Sequence, residues 1–100
     1  MSFQIKRTLL ARNDLLEIWL TIAQDDRAAA DRNLERIEVA IGGLRDFPRL
    51  GAPRDELLQG ARTLLRSPYL VFYRIDDSLE EIEIIRVIDA RRDLDVVFQT

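Results

Sequence analysis

The chain contains no cysteine and no histidine. The first absence excludes disulfides, thiolate metal sites and a cysteine nucleophile. The second removes the commonest metal ligand and the commonest general base near neutral pH. Any catalysis would rest on carboxylates, arginine, tyrosine, serine or Lys6. Lysine itself is nearly missing: Lys6 is the single copy, and the other fourteen of the fifteen basic residues are arginine. Arginine is the side chain of bidentate pairing and of interface contacts, although a genome rich in G and C gives the same bias with no functional meaning. No apolar run reaches membrane length, and Lys6, Arg7, Arg12 and Asp14 interrupt the N-terminus. Neither a signal peptide nor a membrane partner is therefore expected, and the expected location is cytoplasmic. No metal site and no cofactor is expected.

What remains is globular. One hundred residues, 47% apolar and 33% charged, fit a single domain over residues 1–100 with one core. The net charge of −3 does not recruit nucleic acid through the overall field. There is no internal repeat, linker or low-complexity segment.

Residues 3–6 alternate apolar and polar, the pattern of a short strand. Helical spacing follows, with Leu15, Ile18 and Ile22 on one stripe and Leu16, Trp19, Leu20 and Ala23 beside it. Asp14 and Glu17 fit a capping box, with room for a start one turn earlier. Asp26 is a good N-cap for a second helix over residues 27–46, marked by Ala30, Leu34, Ile37, Ile41 and Leu44. Gly42 and Gly43 weaken its end or permit close packing. The short break between the helices predicts an antiparallel hairpin. Pro48, Gly51 and Pro53 mark a loop. Period-two segments over 61–66, 69–75 and 82–88 then predict three strands, with Gly60, Pro68 and the run 76–78 as turns. Residues 94–98 form a short apolar tail. The expected fold is α+β: an N-terminal strand, an α-helical hairpin and a three-stranded antiparallel meander, with the helices on one face of the sheet.

Strict alternation puts Ile82, Ile84, Arg86 and Ile88 on one side of the last strand. It groups Arg62, Leu64 and Arg66 in the first meander strand, and Leu70, Phe72 and Arg74 in the second. Alternation does not say whether these faces coincide. If they do, the open side of the sheet is an apolar floor studded with guanidinium groups, extended past the last strand by Arg91 and Arg92. The alternative is that each arginine pairs locally with one of the many acids.

Five stretches, taken together, carry a family resemblance. RNDLLEIWLTIAQDD and AAADRNLERIEVAIGGL resemble the two helices of ParE toxins in the RelE/ParE superfamily. FPRLGAPRDEL resembles the family's loop, with Pro48, Gly51 and Arg54 in place. GARTLLRSPYLVFYRI resembles the next two strands, and IIRVIDARRDL the last strand and its exit. The resemblance implies the toxin half of a toxin–antitoxin pair, of the kind associated with plasmid maintenance. RelE-like members cut messenger RNA on the ribosome, whereas ParE-like members are associated with poisoning DNA gyrase. The implied antitoxin is ParD-like, with a ribbon-helix-helix domain, so DNA is met only indirectly through it.

RNA cleavage needs a proton acceptor, a proton donor and cations for the developing charge. Where many relatives carry a histidine after the last strand, this chain has Asp89; an aspartate, with an ordinary pKa of about 3.9, is a poor general acid at neutral pH. Tyr69 and Tyr73 read as packing residues. The expectation is a binder with no catalytic residues, ahead of a RelE-type ribonuclease. Arg62, Arg74, Arg86, Arg91, Arg92 and Phe98 are the candidates for target binding. Leu16, Trp19 and Leu20, together with Arg86, are the candidates for antitoxin binding. The three apolar residues widen the first helix beyond one core stripe, as a groove for a partner helix requires.

Overall fold

The structure, a computed structural model, describes residues 2–91. The element order is β1 (Gln4–Arg7), α1 (Leu9–Ala23), α2 (Arg27–Gly43), β2 (Ala52–Pro53), β3 (Ala61–Arg66), β4 (Tyr69–Asp76) and β5 (Glu81–Asp89). The α+β class, the helical hairpin and the β3–β4–β5 meander are as the periodicity predicts. Two additions turn the meander into a five-stranded sheet of order β1-β5-β4-β3-β2. β1 pairs in parallel with β5, Ile5 opposite Ile82, and the two-residue β2 closes the other edge against β3.

Helix α1 starts earlier than its acidic residues suggest. The N-cap is Thr8, whose hydroxyl oxygen accepts from the Ala11 N–H at 3.0 Å. The same hydroxyl donates to the Ile85 carbonyl at 2.7 Å, and the Thr8 N–H donates to the Ile84 carbonyl at 3.0 Å. One residue thus satisfies a helix end and ties it to β5 just where β1 stops. Asp14 is consequently mid-helix and free for another task. α2 begins at the expected cap, with Asp26 Oδ1 accepting from the Ala29 N–H at 3.1 Å. It ends at Gly43 rather than residue 46. A Cβ added at Gly42 or Gly43 meets nothing within 4 Å, so these glycines serve the helix end and not close packing.

The core joins both helices to one sheet face. Leu15 of α1 and Ile37 and Ile41 of α2 pack with Leu64, Val71, Tyr73, Ile82, Ile84 and Val87. Gly51 supports the loop that follows α2. Its N–H donates to the Tyr73 hydroxyl at 2.9 Å, and that hydroxyl donates to the Pro48 carbonyl at 2.7 Å. Burial pushes the Tyr73 phenol above its ordinary value, so it stays neutral and able to donate.

The strict alternation expected for β5 fails at one point. Phe72 pairs with Arg86 but Tyr73 pairs with Ile84, which leaves Ile85 as the extra residue of a bulge. Ile82 and Ile84 before the bulge, and Val87 after it, belong to the helix-side core. Arg86 therefore does not continue the Ile82–Ile84 face.

Candidate functional site

Cross-strand partners share a face of a sheet, so the register decides where each candidate arginine lies. Arg62 pairs with Tyr73, on the helix side. Arg74 pairs with Ala61 and with Glu83, on the opposite side. The two faces left open by alternation do not coincide, and no single surface gathers Arg62 with Arg74. Arg62 donates to the Gly51 carbonyl at 2.7 Å and the Arg49 carbonyl at 3.3 Å, pinning the loop after α2. Arg74 faces Glu83 at 3.4 Å in an exposed pair, the kind that contributes little. Arg92 and Phe98 lie outside the described residues.

Arg86 and Arg91 are the candidates that do come together. They line a small recess of about 190 Å³ with Asp14, Glu17, Thr21, Tyr69 and Asp89, between α1 and the end of β5. Both arginines are engaged there. Asp14 accepts from Arg86 Nε at 2.8 Å and Nη2 at 2.9 Å, and from the Val87 N–H at 3.0 Å. This is a bidentate, charge-assisted pair with a backbone donor added, and it raises the Arg86 guanidinium above its ordinary value. Asp89 holds Arg91 through its Nε at 2.8 Å, through Nη2, and through the Arg91 N–H at 2.9 Å. The contact likewise raises the Arg91 guanidinium. By register Arg86 shares the face of Phe72 and Arg74, but it does not offer a free charge there: its guanidinium is met by a helix acid 72 residues away in the chain. Asp14 is the residue that sequence reasoning missed. As a helix residue beside Glu17 it reads as a cap, and no local pattern links it to β5.

The second candidate surface lies on the helical hairpin. Leu16 and Trp19 line a groove of about 380 Å³ with Arg7, Arg12, Leu15, Leu34 and Glu38. Trp19 Nε1 donates to Asp31 Oδ1 at 2.8 Å, which anchors the indole across to α2 and leaves part of its ring in the groove. Leu16 is 57% exposed and Leu20 47%. Leu20 does not line the groove. Arg7 and Glu38 close one wall through two hydrogen bonds, at 2.7 and 2.6 Å. The Arg7 guanidinium holds the Glu38 carboxyl below its ordinary value.

The family model described as the ParE toxin of the type II toxin–antitoxin system parDE matches residues 5–94. The chain belongs to the ParE toxin family. Toxin ParE3 of Caulobacter vibrioides is 33% identical over 92 residues, covering 91% of this chain and 90% of that protein. A chain of the chromosomal ParDE toxin–antitoxin system of P. aeruginosa superposes with a TM-score of 0.72 at 25% identity, covering 88% of this chain and 96% of that one. A chain of the RelBE2 toxin–antitoxin complex of Mycobacterium tuberculosis gives 0.69 at 30% identity, with 89% and 99% covered. This ParE-family chain is thus the toxin type of a type II toxin–antitoxin system, on the fold shared across RelE and ParE. Among its described residues no helix is long and apolar enough to cross a membrane. Nor does any cluster of three or more acidic side chains able to hold a metal occur among them.

Proposed function

We propose that this toxin acts by binding DNA gyrase, without cutting RNA, and that a ParD-like antitoxin silences it. The observation that carries the binding mode is the state of Arg86 and Arg91. Each is already engaged by an internal carboxylate, Asp14 and Asp89 respectively. A guanidinium held this way is a poorer clamp for a developing phosphorane charge, because a carboxylate already offsets its charge. Asp89, taking three donors from Arg91, is arranged as an acceptor and not as a proton donor. The apolar groove at Leu16 and Trp19 is the place for an amphipathic antitoxin helix.

The test uses purified toxin with gyrase. Blocked supercoiling or trapped cleaved DNA, with translated messages intact, is the expected result, and added ParD-like antitoxin should reverse it. Leu16→Glu should weaken the antitoxin about tenfold or more by burying a charge in the groove. Unaffected gyrase together with cut messenger RNA on ribosomes replaces the reading with a RelE-type nuclease. Unaffected gyrase with intact messages leaves an antitoxin-binding module that is not toxic.

A further inference from the structure

We propose that α2 and the β3–β4 turn form a second docking groove, built for an acidic protein segment with an aliphatic anchor. The groove, about 500 Å³, is lined by Arg32, Glu35, Arg36 and Val39 of α2 and by Arg66 at the end of β3. The α2 residues fall at one-turn spacing on a stripe that shares nothing with the Leu16–Trp19 groove.

The groove gathers three arginines whose charge no carboxylate among the described residues meets. Arg7, Arg49, Arg54, Arg74, Arg86 and Arg91 each have a carboxylate within 4.0 Å. Among the described residues Arg32, Arg36 and Arg66 have none, and neither do Arg12, Arg27, Arg45 and Arg62, but only the first three line one groove. Arg36 Nη2 instead donates to the Ser67 carbonyl at 3.0 Å, and Arg66 Nη1 donates to the Leu65 carbonyl at 2.8 Å. A carbonyl partner fixes the direction of a guanidinium without cancelling its charge. Arg32 and Arg36, one turn apart on the same helix, also repel each other, and a bound anion removes that repulsion. Glu35 offsets only part of the three positive charges.

Val39 selects the class of anion. It is 69% exposed in the middle of this positive rim. A phosphate backbone has no apolar group to cover it, and the net charge of −3 opposes the approach of a polyanion. A protein segment meets both needs. Its carboxylates pair with the guanidinium groups in fork geometry, and an aliphatic side chain between them covers Val39. This occupant is defined by the groove's chemistry alone and does not depend on gyrase being the target.

The test titrates isotope-labelled toxin with a synthetic helical peptide in which leucines are flanked by glutamates at one-turn spacing. A glutamine-for-glutamate version of the peptide and a single-stranded oligodeoxynucleotide serve as controls. Resonances of residues 32–39 and 65–67 should shift saturably with the glutamate peptide. Affinity should fall about tenfold or more in Arg32→Gln/Arg66→Gln and remain unchanged in Arg27→Gln. Val39→Ser, which alters no charge, should also weaken binding, and it keeps the test decisive if the double variant does not fold. The proposal is overturned if no saturable shift occurs at the highest soluble peptide concentration, or if the shifts map to Leu16 and Trp19 instead. Equal binding of the glutamine peptide, or tighter binding of the oligonucleotide, also overturns it.

Discussion

Replacing Asp14 with alanine should destabilise this toxin more than any other single change on the surface of α1. The carboxylate accepts three hydrogen bonds, two from Arg86 and one from the Val87 N–H. The Arg86 and Asp14 side chains keep 21% and 14% of their exposure, so water reaches the pair only partly. Breaking a fully buried pair by removing one partner costs about 3–5 kcal/mol. Partial exposure lowers that, while the orphaned Val87 N–H adds to it, and the sum comes to about 2–4 kcal/mol. For a domain of this size each kcal/mol moves the midpoint by about 4–8 °C, so the melting temperature should drop by about 10–30 °C. Asp14→Asn keeps one oxygen for the Val87 N–H and Arg86 Nε but loses the charge and the acceptor for Arg86 Nη2, and should cost less than the alanine variant. Urea unfolding of Asp14→Ala, Arg86→Met and the double variant isolates the pair, with a coupling of about 1–3 kcal/mol expected. A loss within about 0.5 kcal/mol for Asp14→Ala, or a coupling near zero, would refute the assignment. Arg86 would then be available to a partner, as an open-face reading of β5 requires. If the coupling is large, lost toxicity in an Arg86 variant reports a damaged fold, and says nothing direct about target contact.

Other perturbations test other joints. Gly51→Ala places a Cβ 2.7 Å from both the Thr63 carbonyl and the Tyr73 hydroxyl, between a strand backbone and a buried ring. Neither can retreat freely, so thermal unfolding should show a loss of about 1–3 kcal/mol. Tyr73→Phe removes the acceptor for the Gly51 N–H and the donor to Pro48; it should cost about 1–3 kcal/mol. The double variant should lose less than the sum, because the missing hydroxyl removes one of the close contacts, while the Thr63 carbonyl and the ring carbon remain. The Arg7–Glu38 pair predicts a pH dependence. Its folded carboxyl lies below the ordinary glutamate value, chiefly through the hydrogen bond from Arg7. The contribution is therefore present above the unfolded value and lost as pH falls through the folded one. Glu38→Gln should lower the melting temperature at neutral pH, with the gap to the native chain closing in acid. A gap that stays constant down to about pH 3 would contradict the pairing. Thr8→Ala removes both the α1 cap and the clamp to Ile85; it should cost about 1–2 kcal/mol in the same assay.

Local signals in this chain carried as far as local physics reaches. Asp26 is a cap because its own side chain meets an amide three residues on, and the short break after Ala23 allows only a tight helical turn. The period-two runs became strands because alternation is a property of each strand alone. The family was legible for a related reason: its signature is spread over the order of such segments. The Leu16–Trp19 surplus on α1 was visible as an over-wide apolar face, though not the Asp31 contact that orients the indole. The charge arrangement required the assembled molecule. One extra residue, Ile85, breaks the β5 alternation and lets Val87 join the core, and nothing in a bulged strand's own residues distinguishes it from a regular one. The pairing of Ala61 with Arg74 sends Arg62 and Arg74 to opposite faces, a matter of hydrogen-bond register between strands. The fate of Arg86 hangs on Asp14, 72 positions away. A guanidinium is exposed or satisfied according to what the fold brings within about 3 Å of it, and that distance exists only once helix and sheet have met.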